Sequence, residues 1–402
     1  YGTRPRGVLM APAIAFAERG FMLDEGDIAM FSTATDDFRA DPATAAIFLN
    51  KGQPYKTGDR FVQRDLARTL RLIAQRGPDG FYGGRVADAI AASSAAGNGI
   101  ITKEDLAQYR VRELAPVECD YRGYHVVSAP PPSSGGVVVC EILDVLEGYP
   151  LKDLGFRSAQ AVHYQIEAMR HAYLDRNTYL GDPDFVKNPL DRLLDKKYAG
   201  EIRAAIDPNK AGVSRDLKPG TPPHEGTNTT HYSIVDGQGN AVAVTYTLND
   251  WFGARVTAAG TGVLLNDEMD DFTVKAGVPN LYGLVQGEAN SIAPRKTPLS
   301  SMSPTIVSKD GKPVLVVGTP GGSRIITVVV HTILNVIDYG MDIQEAVDAP
   351  RFHQQWLPET TNVESFGLSP DTRKILESMG HKFAGPQPGN HVAAILVGAP
   401  SL

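Results

Sequence analysis

The residues with the clearest chemical potential lie in Thr227-Asn228-Thr229-Thr230-His231-Tyr232, where a loop passes directly into a strand that begins with threonine. A threonine hydroxyl is a poor nucleophile until a base takes its proton, and an amine at its own N-terminus can do so. An α-amino group titrates at about 7.7–8.0, so it is a usable base near neutrality. Exposing that amine requires scission of the bond after Asn228. Taken alone, the segment reads more simply as a strand with an ordinary β-branched residue at Thr229.

Other common catalytic patterns do not occur. There is no GxSxG elbow, no HExxH pair and no phosphate-binding P-loop. The nine histidines are scattered, and isolated ones such as His331 are expected in the core with their hydrogen bonds satisfied. The run Asn266-Asp267-Glu268-Met269-Asp270-Asp271 lacks the spacing and central glycine of a calcium loop, so pattern alone makes it a solvated acidic turn. Cys119 and Cys140 form no CxxC pair and no metal-ligand set, and two buried free thiols are expected in preference to a disulfide. Neither a metal nor a cofactor is expected.

The scaffold for these residues is large. At 402 residues the chain has room for two or three domains, or for one big layered domain. Apolar residues make up 42% and charged residues 21%, enough for a substantial core. A formal charge of −7 argues against general nucleic-acid binding, which needs a basic surface. No apolar run approaches a membrane span, and the opening YGTRPRGVLM does not read as a signal peptide, so composition leaves the compartment open.

The pattern changes halfway along. Up to about Lys210, GVLMAPAIAFAERGF, RDLARTLRLIAQRG and SAQAVHYQIEAMRHAYL repeat apolar residues three and four apart, predicting helices with one buried face. Thr102 before KEDLAQY reads as a helix N-cap. VECDYRGYHVVSAP has strand composition and runs into Pro130-Pro131-Pro132-Ser133-Ser134-Gly135-Gly136, where the backbone must leave the sheet. After a Gly/Pro/Thr-rich loop beyond Lys210, THYSIVD with AVAVTYTL, and SPTIVS with PVLVVG, predict two hairpins. RIITVVVHTILNVIDYG suits a buried helix ending at Gly340. Helices and antiparallel strands in separate blocks predict an α+β layered sandwich.

The order of motifs carries more information than any one of them. TNTTHYSIVDGQGNAVAVTYTLN, LLNDEMDDF, TPLSSMSPTI, GTPGGSRII and APRFHQQWLP, with DYRGYHVVSAPPPSSGG and YLGDPDFV upstream, closely resemble the γ-glutamyltranspeptidase family over nearly the whole chain. The resemblance implies the N-terminal-nucleophile hydrolase fold, an αββα four-layer sandwich. It implies a precursor cut between Asn228 and Thr229 into a mostly helical large-subunit portion (1–228) and a strand-rich, catalytic small-subunit portion (229–402). The two would persist as a heterodimer forming one sandwich. The implied activity is γ-glutamyl transfer and glutathione hydrolysis through a γ-glutamyl ester, with amino acids, peptides or water as acceptors. Periplasmic or extracellular location is implied as well.

By position in the family's motifs, Thr229 is the nucleophile and Thr247 its hydrogen-bonding support. Asn249 follows in the same motif and can serve the substrate α-ammonium, Glu268 and Asp271 match the pair that holds it, Ser300 and Ser301 match the serines at its α-carboxylate, and Gly321 and Gly322 match the oxyanion-hole glycines. The types suit the task. A γ-glutamyl group ends in a zwitterion, which needs carboxylates for one charge and donors for the other. Glycines between a strand and a helix N-terminus leave N–H groups open to an oxyanion.

Val274 to Asn290 reads as a long loop and corresponds to the family's lid, with Tyr282 at its tip. Trp251 either lines an acceptor pocket or packs in the core. The match begins inside the family's large subunit and stops before its usual tail, so the sandwich is expected to lack an amino-terminal segment and the C-terminal tail. The arginine that clamps the α-carboxylate in the family has no counterpart, leaving Arg255 or Arg324 as substitutes. Two other readings remain at this point: a β-lactam side-chain (cephalosporin or glutaryl) acylase of the same fold, or a catalytically silent fragment.

Overall fold

The computed structural model describes residues 2–214, 229–387 and 389–398; Asn228, on one side of the expected scissile bond, lies outside them. Two compact units divide the chain: Tyr1–Glu113 with Leu248–Asp267, and Leu114–Thr247 with Glu268–Leu402. Neither boundary falls at residue 228, because strands from both sides of that position pack within the second unit.

The first unit is helical. Helices Arg6–Arg19 and Arg64–Arg76 pack together, and Thr102 caps helix Lys103–Gln108 in a capping box with Asp105. Helix Arg6–Arg19 forms where expected but does not bury the expected face. Only Ala17 is buried, while Val8, Leu9 and Phe16 are exposed. Its apolar residues encircle the helix, so their spacing selects no single side. The returning segment contributes Phe252 to an aromatic cluster with Phe31, Phe38 and Phe48.

The second unit contains the sandwich. Its elements are β1 (Val117–Tyr121), β2 (Tyr124–Ser128), α1 (Gly135–Leu146), α2 (Ala159–Tyr179), β3 (Thr229–Val235), β4 (Ala241–Thr247), β5 (Thr305–Lys309), β6 (Lys312–Gly318), α3 (Arg324–Ile337) and β7 (Ala393–Leu396). Both predicted hairpins form, and five strands make an antiparallel sheet in the order β7-β6-β5-β2-β1. Helices α1 and α3 pack on this sheet, with α2 against α1, and the β3–β4 hairpin packs against β6. Helix, sheet and hairpin stack in that order, which accounts for three successive layers, α, β and β, of the expected αββα sandwich.

Burial explains the sequence pattern of the central elements. Leu315, Val316 and Val317 of β6 are all buried, so this strand reads as a continuous apolar run rather than an alternation. Ile326, Val329, Val330 and Ile333 of α3 are likewise buried.

The cysteines depart from expectation. Cys119 of β1 and Cys140 of α1 form a disulfide, with Cα atoms 5.9 Å apart. Helix α1 packs against β1, an approach between elements that spacing along the chain does not report.

Candidate active site

Thr229 is the first residue of β3 and stands opposite Thr247, the last residue of β4. It is buried, and its hydroxyl is directed at the Thr247 hydroxyl at 3.4 Å, long for an O–H···O bond. The hairpin alternates in an unusual sense. Thr229, His231 and Ser233 face inward, while Tyr232 and Ile234 are half exposed. A polar inner face survives because its groups bond one another: His231 Nδ1 meets Thr245 Oγ1 at 2.7 Å and its Nε2 meets Ser233 Oγ at 3.1 Å. Burial pushes the His231 pKa down to about 4, so the ring is neutral at physiological pH. It lies where a Gly318 side chain would otherwise sit. His231 therefore ties the Thr229 end of β3 to the end of β6, three residues before Gly321.

Gly321 and Gly322 connect β6 to α3 with φ of 137° and 54°, both in the region that favours glycine. The Gly321 and Gly322 carbonyls accept from the N–H groups of Arg324 (3.0 Å) and Ile325 (3.2 Å). A trans peptide points its C=O and N–H to opposite sides, so the Gly322 N–H is turned away from the helix. The Pro320 carbonyl is held by Asn390 Nδ2 at 2.9 Å and Thr319 Oγ1 at 2.7 Å, which turns the Gly321 N–H away from Asn390. Two donors are thus pre-oriented with no side chain of their own in front. The Tyr282 ring covers Gly322; an added Cβ there would come within 2.6 Å of it. Tyr282 sits in the Asn280–Gly283 turn and is buried, with its carbonyl accepting from Gln355 Nε2 at 3.0 Å.

Ser300 is locked by its backbone, which exchanges bonds with Pro132 and Ser134 at 2.8 Å each. Its hydroxyl accepts from the Met302 N–H at 3.1 Å. Ser301 is buried and its hydroxyl accepts from Nη2 of Arg176 at 3.1 Å. Glu268 and Asp271 lie on one 3-10 turn, and Asp271 is buried, which corrects the solvated acidic turn that pattern alone suggested. The Asp271 carbonyl accepts from Gln286 Nε2 (3.0 Å) and Asn290 Nδ2 (2.7 Å). These side chains support the backbone under the carboxylate.

Arg176, Gln286, Asn290 and Ser134 were not legible as site residues. One signal existed for Arg176: it continues the buried Ile166–Met169–Tyr173 stripe of α2, where a charge is out of place. Asn249 belongs to the first unit, where it is buried at φ 76° and its Nδ2 donates to the Asp267 carbonyl at 3.2 Å. Trp251 is half-buried in the same unit. Arg255, a suggested carboxylate clamp, is already paired with Asp37 and Asp250. His331 is in the core as expected, edge-on to Phe352, yet neither ring nitrogen has a hydrogen-bond partner among the described residues.

The fold and the threonine at the head of a strand packed against the central sheet define an N-terminal-nucleophile hydrolase. Comparison with known proteins agrees. A cephalosporin acylase from Bacillus halodurans superposes with a TM-score of 0.81 at 29% identity, covering 96% of this chain and 69% of that one. The gamma-glutamyltranspeptidase family model matches residues 1–402. A glutathione hydrolase proenzyme of Pseudomonas sp. (strain A14) is 73% identical over 403 residues, covering 100% of this chain and 70% of that protein. Its namesake from Escherichia coli (strain K12) is 50% identical over 400 residues, covering 99% of this chain and 69% of that protein. The chain belongs to the γ-glutamyltranspeptidase family. No helix among the described residues is long and apolar enough to cross a membrane.

Proposed function

We propose that this chain is a γ-glutamyltransferase and glutathione hydrolase that matures by cutting itself before Thr229. The observation that carries the reading is the buried Thr229 hydroxyl at the head of β3, directed at Thr247. In maturation the Thr229 Oγ attacks the Asn228 carbonyl and the backbone amide becomes an ester. Water hydrolyses the ester, leaving the Asn228 carboxylate and a free Thr229 amine. In turnover that amine takes the Oγ proton as Oγ attacks the γ-glutamyl carbonyl.

The oxyanion forms against the Gly321 and Gly322 N–H groups. Its collapse expels the amine of cysteinylglycine, which receives the proton from the Thr229 ammonium. Water or an acceptor amine then cleaves the γ-glutamyl ester. Glu268 and Asp271 take the α-ammonium and Ser300 and Ser301 the α-carboxylate, while Tyr282 over Gly322 limits water at the ester. The two products of maturation remain associated, since β1–β2 and β5–β6 share one sheet across the cut. The Cys119–Cys140 disulfide supports an oxidising, periplasmic or extracellular setting.

The likeness to a cephalosporin acylase supports a second reading, hydrolysis of a glutaryl side chain. Asp271 favours the first, because a glutaryl group carries no ammonium to meet it. Kinetics on glutathione and on a glutaryl amide test the choice: a preference for the glutaryl amide would refute γ-glutamyl specificity. N-terminal sequencing should find a fragment starting TTHYS, and an active enzyme that remains one uncut chain would refute the maturation step.

A further inference from the structure

Arg176 is almost fully buried on α2, and among the described residues every hydrogen bond it makes goes to a neutral acceptor. Nε donates to Ser134 Oγ at 3.0 Å, Nη1 to Asn177 Oδ1 (2.8 Å) and Gln286 Oε1 (3.0 Å), and Nη2 to Ser301 Oγ at 3.1 Å. Asp271 is the carboxylate in its field, without a direct bond to it. Burial pushes the guanidinium pKa down to about 10, against the opposing pull of Tyr173 and Asp271. A buried cation among neutral partners favours a second anion close by.

We propose that Arg176 is the positioning residue of the glutamyl pocket, aiming the Ser301 hydroxyl at the substrate α-carboxylate and supplying the positive charge behind it. The role rests on the γ-glutamyl reading above. Its chemistry follows from what a guanidinium is: five donors and no acceptor. Ser301 Oγ must accept from Arg176, so its own hydrogen is left to point outward as a donor. Ser134 is fixed in the same way, accepting from Nε while donating to the Ser300 carbonyl at 2.7 Å. On its other side the guanidinium holds Gln286, which with Asn290 supports the Asp271 backbone. Asn290 bonds both Gln286 Oε1 and the Asp271 carbonyl, so the ammonium-binding half keeps its support without Arg176.

The test uses p-nitroanilides of three acyl groups on the full chain: γ-glutamyl, glutaryl (no ammonium) and 4-aminobutanoyl (no carboxylate). Arg176→Lys keeps a charge but loses the fork. It should lower kcat/KM about ten- to hundred-fold on the two carboxylate-bearing substrates, mainly through KM, and less than about three-fold on 4-aminobutanoyl anilide. Ser301→Ala should show the same substrate pattern, and the double variant should be little worse than either single one. If Arg176→Lys does not fold, Ser134→Ala should give that pattern at smaller size. Equal losses on all three substrates, or fully additive losses with Ser301→Ala, would reduce Arg176 to a structural role and overturn the inference. A wild-type enzyme without activity on the γ-glutamyl anilide would instead refute the proposed function itself.

Discussion

Gly322→Ala tests whether the turn between β6 and α3 is shaped by the residue that covers it. Gly322 has φ of 54°, and its added Cβ would lie 2.6 Å from Tyr282 Cδ1 and Cε1. The ring cannot move aside freely, because Tyr282 is buried and its backbone is held by Asn280 Oδ1 (3.1 Å) and Gln355 (3.0 Å). Left-handed backbone costs a residue with a Cβ about 1–2 kcal/mol. Overpacking against the ring adds about 1–3 kcal/mol. The substitution should therefore cost about 2–5 kcal/mol in the wild-type background.

Tyr282→Ala removes only the second component, so the two substitutions should couple by about 1–3 kcal/mol. Urea midpoints of the four proteins measure the coupling, and kcat on a γ-glutamyl anilide measures its consequence for the N–H groups. Loss of one oxyanion donor costs about 10²–10³ in kcat. Gly322→Ala should approach that loss and recover part of it when Tyr282 is also truncated. Additivity within about 0.5 kcal/mol would refute the idea that Tyr282 packs against the turn.

Thr229→Ala should abolish both maturation and turnover, while Thr229→Ser retains some of each; intact mass and a γ-glutamyl anilide assay check this, and a maturing, active Thr229→Ala would displace the nucleophile. Asp271→Asn should lower kcat/KM on glutathione about ten- to hundred-fold, from roughly 1.5–3 kcal/mol for a charged hydrogen bond, and spare a glutaryl amide; the reverse pattern would reject its ammonium role. Removing the disulfide with Cys119→Ala and Cys140→Ala, which opens a loop of sequence separation 21, should cost about 3 kcal/mol; an unchanged urea midpoint counts against it. Burial pushes His353 and His381 down to about 3, so both stay neutral in the folded protein while the unfolded chain gains protons below pH about 6.5. Stability is full above that pH and should fall towards pH 4 by up to about 1.4 kcal/mol per pH unit per histidine. His381→Gln should flatten the fall, and a urea midpoint that rises on acidification would contradict the sign.

What the sequence determined by itself was local. The strand that begins at Thr229, the two hairpins and the capping box at Thr102 depend on neighbours a few residues apart, and all formed as the residues dictate. Motif order was enough to identify the family, because residues that must meet one substrate keep their sequence order. Tertiary structure decided everything that depends on approach between distant segments. The stretch between Cys119 and Cys140 carries no sign that α1 packs against β1. Nor does the acidic run show that Asp271 is drawn inward by Gln286 and Asn290. The inward polar face of β3 is stable only because Thr245 and Ser233 satisfy His231 across and along the hairpin. Arg176 is the sharpest case: in sequence it is a charge breaking a helical stripe, and its meaning appears only when Ser134, Gln286 and Ser301 come within hydrogen-bonding distance. A buried charge is tolerable only where such partners converge, and convergence is a property of the fold.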